Sequence, residues 1–153
     1  MKKNYLFPSI YKRVGWYLLS VFTICGLLYL LGVIPGDLLT TKMRTIPITG
    51  PLTFGSNDWM DEIIAIGLGL SLLLVGFSKE KDEDELITEI RMYSIAFATK
   101  LTIGVVLLAT LLLFDLAFFY FMIFNLFLLM YIFIFKFEYE LRKFRKENKE
   151  VGV

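Results

Sequence analysis

The sequence predicts an all-α fold, a four-transmembrane-helix bundle whose third and fourth helices continue past the membrane as cytoplasmic extensions. Three observations carry that expectation. A mean hydropathy of +0.67, with 57% hydrophobic and 16% aromatic residues in a chain of 153, is more apolar surface than one small soluble core can hide. Four apolar runs, at about 14–34, 59–78, 95–114 and 116–135, are each long enough to cross a hydrocarbon layer about 30 Å thick. Charge is segregated from those runs: six of the fifteen carboxylates fall within residues 80–89, in the stretch FSKEKDEDELITEIR. The whole of 1–153 reads as one integral membrane domain.

The first run follows Lys12 and Arg13 and imitates a signal peptide, but no small-x-small cleavage site follows it, so it reads as an uncleaved span. Cys25 lies inside it. One cysteine and no histidine exclude an internal disulfide and any Cys/His metal set, and Cys25 reads as a small packing residue. The loop from Pro35 to Asp58 holds three prolines and three glycines before its last two residues, which predicts turns and extended pieces rather than a long helix. Asp58 is a candidate cap for the second span, with Asp61 and Glu62 in the positive first turn, a capping role favoured over a metal site. Ala65, Gly67, Gly69 and Gly76 give that span a small-residue face, as Gly26 and Gly32 do in the first, suited to close helix contact within or between chains.

The third and fourth runs form one apolar tract of about 40 residues, roughly 60 Å as a straight helix and twice the hydrocarbon thickness. Asp115 is the expected hairpin point, its carboxylate capping the fourth helix. The third helix starts early, since Leu86, Ile90, Tyr93 and Phe97 follow a helical period. The fourth overruns, with Phe137, Leu141 and Phe144 continuing its stripe. Folding both about Asp115 sets Phe137 near Tyr93, Leu141 near Ile90 and Phe144 near Leu86. It also sets Glu83 to Glu89 against Arg142, Lys143, Arg145 and Lys146, and Arg91 against Glu138 and Glu140. The result is an antiparallel pair with an apolar seam, the charges choosing the partner face. The three residues Lys79 to Lys81 are too short a link for a straight acidic helix, so that helix is expected to tilt, bend or meet a protruding second span.

Fourteen of the sixteen Lys and Arg residues fall on one side of this arrangement. The positive-inside rule places both termini in the cytoplasm of a bacterial inner membrane, with loop 35–58 and the Asp115 turn outside. Trp16, Tyr17, Trp59 and Tyr131 lie near span ends, where amphipathic rings favour the headgroup level. The closest candidates for a functional polar group within the spans are Lys100 and Asn125. Lys100 can snorkel to the headgroups. Asn125 is the one strongly polar group at mid-depth, and its amide is expected to bond a Ser71 hydroxyl or a backbone carbonyl.

No phosphate loop, paired mid-membrane acids, CxxC or serine–histidine set is present, which argues against an enzyme and calls for no cofactor or metal. The expected partners are membrane lipid, a cytoplasmic protein and a second copy of the chain. The acids interspersed in the basic tail make direct nucleic-acid binding unexpected and favour inner-leaflet anchoring. Candidate partner-binding residues are Asp82, Glu83, Asp84, Glu85, Glu89, Arg91, Arg142, Lys143, Arg145 and Lys146. The rival expectation is a small oligomeric channel or transporter.

The run Phe77, Ser78, Lys79, Glu80, Lys81, any residue, Glu83, Asp84, Glu85, any residue, Ile87 resembles a pattern in small four-span membrane proteins of bacteria in the Bacteroidetes lineage. The acidic pair Asp61 and Glu62 is similar too, and about a third of the chain is covered. The motif names no activity. Such proteins are often encoded beside a small helix-turn-helix regulator, so the resemblance implies a membrane component of a regulatory pair.

Overall fold

The computed structural model describes residues 6–34, 40–45 and 53–150, with 40–45 and 53–58 described by backbone alone. Its elements are α1 (Ser9–Leu30), β1 (Thr40–Thr45), β2 (Thr53–Asp58), α2 (Met60–Gly76), α3 (Glu85–Leu112) and α4 (Asp115–Glu150). The fold is thus helical, as expected, with one antiparallel hairpin added: β1 pairs β2 from Thr40 opposite Asp58 to Thr45 opposite Thr53. The extended pieces expected in this loop therefore pair with each other. The prolines and glycines at 47, 50 and 51 lie outside the described residues.

Three helices, α1, α3 and α4, are long and apolar enough to cross a membrane. Few of their span residues are buried by protein. Leu107, Leu111, Leu116, Phe119, Ile123 and Leu126 are all exposed, as suits helices whose solvent is hydrocarbon. The second run is shorter than expected. α2 covers 17 residues, because Trp59 precedes the helix and Phe77 and Ser78 leave it. The cause is main-chain pairing with the start of the chain: Phe7 N–H donates to Phe77 O at 2.9 Å and Lys79 N–H donates to Phe7 O at 2.8 Å, a parallel bridge between Phe7 and Ser78. The early end of α2 also answers the short-link problem, since residues 77–84 now join it to α3 and reach about 28 Å when extended.

The chain divides into two compact units, residues 16–71 and the remainder. In the first, α1 ends in a Schellman motif. Gly32 has φ 70°, its N–H donates to Tyr29 O, and Val33 N–H donates to Leu28 O. Gly32 is therefore a helix stop, and a Cβ there would touch nothing among the described residues, so of the two expected settings for close contact the one within the chain is not used. Gly26 does pack, against Ile64 and Leu68, and Gly67 makes room for the Phe22 ring, which lies where a Cβ would stand.

In the second unit, α3 and α4 are joined by a tight turn. Leu113 caps α3 with its N–H to Ala109 O at 2.8 Å. Asp115 follows with φ 56°, the one left-handed non-glycine among the described residues. Aspartate tolerates that region better than most side chains. The hairpin falls where expected, but Asp115 serves by its backbone. Its carboxylate makes no cap bond among the described residues. The core of this unit gathers Leu72, Val75, Ile87, Ala98, Phe133, Ile134, Phe137 and Leu141. Phe133 also fills the space left by Gly76.

Candidate functional site

Beyond the apolar part of α3 and α4, the start of α1 and the link 77–84 meet both helices in a cluster of charges. Glu80 is 8% exposed. Its carboxylate accepts from Lys12 and, at 3.1 Å, from Arg145. Lys12 also donates to Glu138 Oε1 at 2.5 Å. Glu83 Oε2 accepts from the Glu80 backbone N–H at 2.7 Å and from Arg91 Nη2 at 3.1 Å. Arg91 is 4% exposed, donates to Ser78 O at 3.2 Å, and lies 5.0 Å from the Phe137 ring centroid. Lys12 lies 5.4 Å from the same centroid, so one phenyl ring supports two cations.

Apart from Arg145, whose side chain is 43% exposed, the paired groups are largely dry, and removing a partner such as Arg91 leaves a charge without compensation at a cost of about 3–5 kcal/mol. Arg91 is already under-satisfied: its Nε and Nη1, like Glu83 Oε1, have no hydrogen-bond partner among the described residues. The acid-rich link is therefore a folded plug. Asp84 and Glu85 alone match the expected helix-start role, Asp84 as N-cap with its carboxylate accepting from Glu85 N–H at 2.6 Å.

Next to the cluster lies a groove of about 270 Å³ lined by Leu86, Glu89, Ile90, Tyr93, Glu140 and Phe144. The expected register is visible in it, with Leu86 beside Phe144. Closer to the apolar spans, Lys136 Nζ sits 5.6, 5.1 and 5.8 Å from the ring centroids of Tyr93, Phe97 and Tyr139 and donates to Glu140 at 2.6 Å. A lysine so placed has its ammonium shared between three aromatic faces and one carboxylate.

The expected partner-binding residues separate into two groups. Glu83 and Arg91 are used inside the molecule, and Arg91 meets Glu83 rather than Glu138 or Glu140. Those two acids are taken by Lys12 and Lys136. Arg145 does face the acidic link, bonding Glu80 and lying 3.8 Å from Asp82. Asp82, Asp84, Glu85, Glu89, Arg142, Lys143 and Lys146 are exposed. Among the described residues, Lys143 and Lys146 make only long pairs along α4, with Glu147 at 3.9 Å and Glu150 at 3.8 Å. Lys100 is exposed on α3. Asn125 does not find the expected partner: its Oδ1 is buried without a hydrogen bond among the described residues, and Ser71 bonds Leu68 O in its own helix. The cluster residues absent from that candidate set are Phe7, Lys12, Glu80 and Glu138, of which Glu138 was expected to meet Arg91 and meets Lys12 instead. Lys12 and Glu80 stand 68 residues apart, and no local pattern links them.

Comparison with protein-family models, curated proteins and solved structures finds no match. Among the described residues no group of acids or cysteine gathers as metal ligands. What the arrangement offers is an ion-paired charged end and a groove.

Proposed function

We propose that this is a non-enzymatic protein of a bacterial inner membrane, regulatory or scaffolding in role, that docks a cytoplasmic protein through the projecting hairpin of α3 and α4. In this reading α2 is the fourth span, both termini are cytoplasmic, and the β1–β2 hairpin and the Asp115 turn face outward. The distribution of Lys and Arg supports that orientation. So does α2, whose 17 residues reach about 26 Å, near the hydrocarbon thickness.

The observation that carries docking is the groove. Leu86 and Tyr93 are 51% and 60% exposed in a segment too charged to lie among acyl chains, so lipid does not cover them. The ion cluster holds both walls in place, which lowers the ordering cost of binding. A photo-crosslinker at Tyr93 in native membranes is expected to capture protein, and Glu89→Lys, an exposed change outside the cluster, to reduce the yield. Adducts with lipid alone would defeat the proposal. The rival channel reading draws on Asn125, whose unsatisfied amide oxygen is costly at mid-depth. Ion flux into liposomes that Asn125→Leu abolishes would favour it.

A further inference from the structure

We infer that the occupant of the groove is a second copy of this chain, related by a two-fold axis running along α3 and α4. This rests on the reading of the groove as a docking surface and names what docks there.

The two rims of the groove differ in sign. On the α3 side, Glu85 and Glu89 are exposed, and from Asp82 to Glu89 every charge is acidic. On the α4 side, Glu140 is held by Lys136, and residues 142–150 carry five bases against two acids. Lys143, one residue before Phe144, is 61% exposed and its Glu147 partner stands at 3.9 Å, a pair worth little in water. A uniformly basic segment would suit the α3 rim and be repelled by the α4 rim, and a uniformly acidic one the reverse. A second hairpin of the same kind carries both signs in the required order.

Because α3 and α4 are antiparallel and share one turn, positions equally far from it lie at about the same height. Lys143 is therefore level with about residue 86 or 87, between Glu85 and Glu89. A two-fold axis along the helices keeps heights and exchanges the rims, so α3 of one copy faces α4 of the other. Lys143 of each then comes within about one helical turn of Glu85 and Glu89 of its mate, twice over. Leu86, Ile90, Tyr93 and Phe144 of both copies close into one apolar seam.

The test uses two differently tagged full-length chains, one carrying Glu89→Lys and the other Lys143→Glu, each expected to keep the wild-type helix content because both positions are exposed in the single chain. Expressed alone, each variant places like charges at both contacts and is expected to associate at least about tenfold more weakly than wild type. Expressed together, they are expected to recover wild-type association as mixed pairs, an exchange that interactions within one chain cannot produce. A Glu89→Cys chain and a Lys143→Cys chain, both in a Cys25→Ser background, should likewise form a disulfide between copies when isolated membranes are treated with a mild oxidant. A dimer insensitive to both reversals would overturn the inference by placing contact elsewhere. A wild-type monomer whose Tyr93 crosslinker still captures a different protein would overturn it and leave docking standing. Lipid-only adducts would remove both.

Discussion

Arg91 shows how one buried cation organises its surroundings. Its guanidinium is held by the Glu83 carboxylate, the Ser78 carbonyl and the face of Phe137, the first two from the link 77–84 and the third from α4. Arg91→Met keeps the apolar stem but strands Glu83. It should lower stability by about 3–5 kcal/mol, read as loss of melting temperature in detergent. Glu89→Ala, on the same helix but exposed, should stay within about 0.5 kcal/mol. Lys12 and Glu80 offer a second check. A double-mutant cycle with alanine at each should give a coupling energy of about 1–3 kcal/mol, whereas Lys143 with Glu147, long and exposed, should give close to none.

Among the elements, the α3–α4 hairpin was the most readable, because about 40 apolar residues are too many for one crossing and Asp115 is the single acid among them. Its left-handed φ makes a sharp expectation: Asp115→Gly should be tolerated, and Asp115→Val should cost about 1–2 kcal/mol in the same melting assay. The helical stripe of Leu86, Ile90 and Phe144 was legible for the same reason, since periodicity survives without knowledge of neighbours. Pairing was not. Glu83 and Glu89 look alike in sequence, yet one bonds a buried arginine and the other faces solvent, because the link 77–84 folds back instead of extending α3. Gly26, Gly32 and Gly67 likewise share a residue type but not a task, which only the position of Phe22 and the end of α1 decide. Gly67→Ala should destabilise by about 1–3 kcal/mol through the Phe22 ring, and Phe22→Ala should recover part of that loss.

At the scale of the whole molecule, the proposed orientation separates basic ends from outward turns. Single cysteines in a Cys25→Ser background should react with an impermeant reagent from outside at position 115 and only from inside at positions 89 and 149. The same labelling at positions 57 and 81 asks whether α2 crosses: opposite sides are expected, and one side for both would leave three spans. The parallel bridge at Phe7 adds a temporal order to assembly. Phe7 leaves the ribosome some seventy residues before Ser78, its mate, so the leading segment has no docking place until α2 has been made and inserted. Synthesis halted between the two should leave the amino end open to proteases, and trimming through Phe7 should leave residues 77–79 with an unzipped edge and a slackened plug.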